Sequence, residues 1–283
     1  MSFVDDIKRR YISGNIVEKL IIINIAVFIL ALLMSVFSGL YNNEASFITT
    51  WFSLDDDYSS LFTKPWSIVS YGFLHAGFIH ILFNLIALYF IGNLFLEYFT
   101  QKQLLSFYLI GTFFGGVLYL VSQNYFPLFE GRNSYLVGAS AGVSAIFIGI
   151  ATYIPNYQLK IRFIGFVKLW HLAAIWIGLD IIGLVGTNAG GSFAHLGGAL
   201  FGFLYVRKAS NKDIKLFDTL GNLFKKKEKP LKTVYKSKEK KQKTSNTNLN
   251  QQQIDAILDK ISKSGYDTLT ASEKEFLFKQ GKK

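Results

Sequence analysis

Six apolar segments, each close to the length needed to cross a bilayer, constrain this 283-residue chain more than any other feature. They are Leu20–Leu40, His75–Phe95, Leu104–Val121, Tyr135–Ile154, Leu169–Val185 and Ser192–Val206. A hydrocarbon core takes about 20 helical residues to span. Lipid cannot satisfy free backbone groups, so helices are the expected solution, and no strand-like alternation competes over these stretches. The sixth segment is short, but it is glycine-rich and suited to being enclosed by its neighbours. Hydrophobic residues make up 51% of the chain and charged residues 17%. A mean hydropathy of +0.29 is too high for an ordinary soluble domain or a disordered chain. The expected fold class is an all-α membrane protein, a six-transmembrane-helix bundle. With no cysteine in the chain, thiol catalysis, Cys-zinc sites and disulfides are excluded. Lys8, Arg9 and Arg10 ahead of the run from Leu20 have the look of a signal peptide. That run continues to Phe37 without a small-x-small cleavage site, so it reads as a first span.

Charge gives an orientation. Residues 1–206 hold 10 Lys/Arg and 10 Asp/Glu, whereas residues 207–283 hold 20 and 9, so the net +11 lies in the last quarter. Before the tail, one alternating set of loops carries Lys8, Arg9, Arg10, Lys19, Lys102, Lys160, Arg162 and Lys168, and the other carries only Lys64 and Arg132. This asymmetry places both termini in the cytoplasm, and the expected location is a bacterial cytoplasmic membrane. The basic tail then points to a cytoplasmic side and anionic lipid rather than to nucleic acid. The first outer loop mixes Trp51, Phe52, Phe62 and Trp66 with Asp55, Asp56 and Asp57, and reads as an interfacial segment.

The domain reading is a membrane domain over residues 1–207, a basic disordered linker over 208–249, and a short C-terminal helical module over 250–283. In the last, Ile254, Ile257, Leu258 and Ile261 share a helical face, Ser264-Gly265 breaks it, and Thr270 followed by Glu273 forms a capping box for a second short helix. A helical hairpin of this kind suits docking of a cytoplasmic partner.

Polar groups are rare inside the spans, so each needs a reason. Span two carries His75, His80 and Asn84. Span four opens with Gly138-Ala139-Ser140-Ala141-Gly142, span five carries His171 and Asp180, and span six carries His195, Gly198 and Gly202. Spans two, four and six start on the same side of the membrane, so His80, Ser140 and His195 fall at similar depth. A serine hydroxyl needs a base to become a nucleophile, and neutral histidine has suitable basicity. Gly198 and Gly202 lie at i+3 and i+7 from His195, Gly138 and Gly142 flank Ser140, and small residues of this kind let membrane helices approach closely. His80 and Asn84, at i and i+4, share a helix face and can join the Ser140 backbone N–H as donors to an oxyanion.

These residues resemble the motifs of the rhomboid intramembrane serine proteases. His80-Ile81-Leu82-Phe83-Asn84 matches H-x-x-x-N, Gly138-Ala139-Ser140-Ala141 matches G-x-S-x, and Ala194-His195 with Gly198 and Gly202 matches A-H-x-x-G-x-x-x-G. Trp66 ahead of His75 also resembles the family's first-loop segment. The resemblance covers about residues 15–207 and leaves out the tail. It implies a rhomboid-like six-helix bundle, a Ser140–His195 dyad, an outward-opening wet cavity, and cleavage of transmembrane substrate proteins near the outer face, with no metal or cofactor. One departure is Ala141 where many members have glycine, a methyl that would narrow the oxyanion hole.

Each residue also has a duller role open to it: Ser140 as a helix cap, His195 as a structural hydrogen-bonding group, Asn84 as an interhelical amide. His75 is a candidate for site support. His171, beside Trp170, reads as an interface anchor, and Asp180 as an interior acid, paired or protonated, outside the chemistry. Asn24 is expected to contact a neighbouring helix, and Gly111, Gly115 and Gly116 to pack. A metalloprotease is disfavoured, since no H-E-x-x-H occurs and His75 and His80 are spaced off a single helical face. Two rivals to the protease remain: a catalytically inactive rhomboid-like scaffold that binds transmembrane segments, and a small transporter.

Overall fold

The computed structural model describes residues 3–41, 46–162, 165–209 and 247–280. The chain divides into two compact units, Met1–Lys225 and Lys226–Lys283. Most of the expected linker, residues 210–246, lies outside the described residues.

The first unit is predominantly helical: α1 Phe3–Ser13, α2 Ile16–Leu40, α3 Phe47–Phe52, α4 Ser67–Ser70, α5 Phe78–Leu96, α6 Gln101–Tyr125, α7 Ser140–Tyr153, α8 Leu169–Gly183 and α9 Ala189–Ala209. Four of these (α2, α5, α6 and α9) are long and apolar enough to cross a membrane. The other two apolar helices, α7 and α8, have 14 and 15 residues and fall short of that length.

Local chemistry fixes where the helices begin. Asn15 caps α2 by accepting from the Val17 and Glu18 N–H groups, Glu18 accepts in return from Asn15 N–H, and the Asn15 amide ties this end to Asn93 of α5 at 3.0 Å. Thr100 and Gln103 form the same reciprocal box on α6. The second span starts at Phe78, three residues later than the sequence suggests. Residues 71–73 are held instead in a 3₁₀ turn, because Tyr71 OH donates to Thr112 O at 2.7 Å and Tyr108 OH to Gly72 O at 2.8 Å. The fourth begins at Ser140 rather than Tyr135 because strand β1 (Leu54–Asp55) pairs antiparallel with β2 (Tyr135–Leu136). A second pair, β3 (Gln158–Ile161) with β4 (Gly165–Lys168), occupies the connection after α7.

The core is built on α6, α7 and α9. From Ala141 to Ala151 every residue of α7 is buried. Small residues bring the three backbones together: a Cβ on Gly115 of α6 would meet the Ala141 Cβ at 2.5 Å and the Ala194 carbonyl at 2.7 Å. Phe107 fills the far end, its ring against Phe95, Phe201 and Tyr205. Asn24, fully buried on α2, donates to Tyr108 OH at 3.2 Å, the interhelical contact expected of it. The opposite side of α2, with Ile29, Leu33, Val36 and Phe37, is exposed, as suits a lipid-facing helix.

The segment between α2 and α5 is laced to the helices beside the site. Lys64 pairs with Asp55 at 2.6 Å and donates to Thr50 O, Trp66 donates to Trp51 O with the two rings stacked, and Asn124 of α6 donates to Asp56 O. Phe62, at 88% exposure, and the half-exposed Trp51 and Trp66 give this segment an apolar outer surface.

In the second unit, helix α10 (Thr247–Ser264) stops at Gly265, whose φ of +84° is a left-handed conformation that favours glycine. Helix α11 (Ala271–Gln280) opens on the anticipated box: Thr270 N–H and Oγ donate to the Glu273 carboxylate, and Glu273 N–H reaches back to Thr270 Oγ. Lys260 donates to both Glu273 oxygens at 3.0 Å, which locks the two helices together.

Candidate active site

Ser140 is the first residue of α7. The first N–H groups of a helix have no partner within it, and the capping residue, Ala139, offers no side-chain acceptor. Donors and the positive end of the helix dipole therefore gather at the serine. Ahead of it, Gly138 has φ +136°, donates its N–H to Tyr71 O at 3.0 Å, and lies against His80. A Cβ there would stand 2.9 Å from His80 Nε2 and 3.4 Å from Ser140 Oγ. Only glycine suits that backbone and that space, and the serine hydroxyl and the His80 ring flank the same point. Gly138 thus lies in the turn before α7, packed closely against His80 of α5.

His195 lies in the second turn of α9. The α7–α9 contact comes through Gly198 and Gly202, whose Cβ atoms would meet the carbonyl oxygens of Ala141 at 2.0 Å and Ala145 at 2.2 Å. Ala141 follows Ser140 and Gly198 is one turn after His195, so this backbone contact lies one residue from the serine and one turn from the histidine. Among the described residues the Ser140 hydroxyl makes no hydrogen bond; the bond recorded for His195 runs from Nδ1 to Asp180 Oδ1 of α8, at 2.6 Å. Catalytic hydrogen bonds are commonly long in the absence of substrate.

His80 sits in the first turn of α5, within electrostatic range of His195. Asn84 is buried one turn deeper, and its amide donates to His80 O at 3.0 Å. His75 lies outside the helix, 9% exposed, with its ring edge-on to His80 at 5.1 Å. Its Nε2 is 3.5 Å from Ala139 N–H, the outer limit of a hydrogen bond, next to the serine turn.

The Ala141 methyl is fully buried against Gly115 of α6. Gly142 likewise packs on α6, where its Cβ would meet Tyr108 O at 2.8 Å. Sequence reasoning left Asp180 outside the chemistry, yet it contacts the candidate base directly. Depth could have found it, since Asp180 lies near the end of α8 and His195 near the start of the next helix. His171, by contrast, is exposed beside Trp170 and far along α8 from this cluster.

Comparison with known proteins agrees with the helical arrangement. The family model described as "Rhomboid domain" matches residues 63–212, and a family of unknown function (DUF6576) matches residues 238–283. The chain is similar to "RHOMBOID-like protein 12, mitochondrial" of Arabidopsis thaliana, with 29% identity over 65% of this chain and 55% of that protein. It is also similar to "Presenilin-associated rhomboid-like protein A, mitochondrial" of Danio rerio, with 30% identity over 51% of this chain and 37% of that protein. A third relative, "RHOMBOID-like protein 4" of Arabidopsis thaliana, is 30% identical over 50% of this chain and 33% of its own length. The chain thus spans about half or less of the length of the curated relatives it matches. These relatives correct the expected location: all three are eukaryotic and two are named mitochondrial, which overturns the bacterial cytoplasmic membrane and the cytoplasmic termini read from loop charge. With the family model covering more than half of its residues, the chain belongs to the rhomboid family, a family of intramembrane proteases.

Proposed function

We propose that this protein is an intramembrane serine endopeptidase that cuts transmembrane proteins, with Ser140 as nucleophile and His195 as general base. The observation that carries this reading is the backbone contact of Gly198 with Ala141, which brings the first turn of α7 and the second turn of α9 together. In this reading α7 and α8 complete a six-span bundle. A helix of 14 residues rises only about 21 Å against a core of about 30 Å. The serine therefore begins its helix below the membrane surface, enclosed by protein.

His195 Nε2 takes the Ser140 proton while Oγ attacks the carbonyl carbon of a substrate segment. The oxyanion forms beside the helix N-terminus, where the Ser140 N–H, His80 and Asn84 are available as donors. The protonated imidazole then passes its proton to the leaving amine as the C–N bond breaks, and water repeats the sequence on the acyl-enzyme. A substrate helix must unwind first, because its carbonyls are engaged in i→i−4 bonds. Segments with small or helix-breaking residues are therefore the expected substrates.

The test is incubation of the full chain, in detergent, with a panel of single-span proteins. Cleavage by the wild type that is lost in both Ser140→Ala and His195→Ala supports the protease. Binding without cleavage supports the inactive scaffold. Equal solute flux in wild type and Ser140→Ala, with no cleavage by either, supports a transporter.

A further inference from the structure

We propose that Asp180 is a positioning residue for His195, so that the protease site works as a serine–histidine–aspartate triad drawn from α7, α9 and α8. This rests on the protease reading above. Its carboxylate accepts the Nδ1 proton of His195, fixes the tautomer that leaves Nε2 free to receive the Ser140 proton, and stabilises the imidazolium that results.

Contacts on both sides of α8 put the three residues at one level. The end of α8 meets the start of α9 at Gly183, where a Cβ would stand 2.3 Å from Ser192 Oγ. Asp180 is three residues before Gly183 and His195 three residues after Ser192, so the two antiparallel helices present them face to face. Their Nδ1···Oδ1 separation is 2.6 Å, with side chains only 21% and 10% exposed. Deeper along the same helices, Trp176 Nε1 of α8 donates to Ser144 Oγ of α7 at 3.1 Å. Asp180 follows Trp176 by four residues and Ser140 precedes Ser144 by four. The contact that ties α8 to α7 therefore sits one turn beneath both the acid and the serine.

The residue type is itself informative. An acid at this depth is costly unless it has a task. Asp180 Oδ2 is buried without a hydrogen-bond partner among the described residues, and Oδ1 has His195. A network built to stabilise the fold would satisfy both oxygens, or use an apolar residue instead. Aimed at the far nitrogen of the general base, a carboxylate does what the acid of a serine-protease triad does: it orients the ring and balances its charge without taking the proton.

The experiment uses the full chain in one detergent, with a fluorophosphonate probe, a fluorescently labelled single-span protein as substrate, and ¹⁵N-histidine NMR. His195 is assigned from the signals missing in His195→Gln. In Asp180→Asn, kcat is expected to fall on the order of 10²-fold or more, with KM changed by no more than about twofold. The His195 signals are expected to move from the Nδ1-protonated to the Nε2-protonated tautomer. Asp180→Glu, which keeps the carboxylate, is expected to hold the wild-type tautomer, and it serves if the asparagine variant does not fold. Wild-type kcat in Asp180→Asn, or an unchanged tautomer, or loss of the wild-type tautomer in Asp180→Glu, would overturn the proposal. If the wild type neither cleaves nor labels, the protease reading fails by itself. The tautomer then still reports the pairing: a shift in Asp180→Asn upholds Asp180 as the group that orients His195, and no shift overturns it.

Discussion

A Cβ placed on Gly198 would stand 2.0 Å from the carbonyl oxygen of Ala141, so α9 and α7 touch backbone to backbone one residue from Ser140 and one turn from His195. No side-chain rearrangement can relieve that contact, because the opposing atom belongs to the main chain of a buried helix.

Gly198→Ala is accordingly expected to force α7 and α9 apart. Overpacking of this kind costs about 1–3 kcal/mol, and a misplacement of about 1 Å between reacting groups can cost on the order of 10² in rate. Proteolysis should therefore fall by a larger factor than stability explains. Gly178→Ala, where an added Cβ meets nothing within 4 Å, is the control and should leave both near wild type. Thermal midpoints and initial cleavage rates measured in the same detergent check this.

Ala141→Gly should behave in the opposite way. The methyl is buried against Gly115 of α6. Removing it is expected to cost stability, roughly 1 kcal/mol or more from helix propensity and lost packing. The fluorophosphonate labelling rate of Ser140 should stay within about threefold of wild type, as expected for a change outside the transition-state contacts.

Asn84→Ala removes a donor on the oxyanion side. The expected loss is on the order of 10²–10³ in kcat, while KM moves little because the interaction strengthens only in the transition state. Steady-state kinetics on a single-span substrate separates the two.

In the C-terminal unit, hydrogen bonds from Thr270 N–H, then Lys260 and the Thr270 hydroxyl, hold the Glu273 carboxyl down to about 2. A depressed carboxylate contributes stability that is complete above its ordinary value of 4.5 and is lost as pH falls towards 2. The Thr270 amide resonance should therefore titrate with a midpoint near 2 in the wild type. In Glu273→Gln it should be flat across that window, since a glutamine can keep the reciprocal box, as Gln103 does on α6, without a group that titrates.

The parts of this structure legible in the sequence were those set by local chemistry. Apolar runs marked the helices, Thr270 and Glu273 marked the start of α11, and the lone Asn24 marked a contact between helices. Two-residue strands such as Leu54–Asp55 carry no periodicity, so β1 and β2 left no signal and the start of α7 was misplaced by five residues. His75 fell outside α5 because Tyr71 and Gly72 are tied to α6, a tertiary effect. Side-chain direction was the hardest to read. Helix α8 is apolar on nearly every side, so nothing in its pattern showed that Asp180 faces α9, or that the Ala141 methyl faces α6.

The most direct measurement is mass-spectrometric mapping of the fluorophosphonate adduct on the full chain, in the wild type and in His195→Ala. A single adduct on Ser140 in the wild type that vanishes in His195→Ala is the predicted result. An adduct on another residue, or one on Ser140 that persists undiminished without the imidazole, would contradict it.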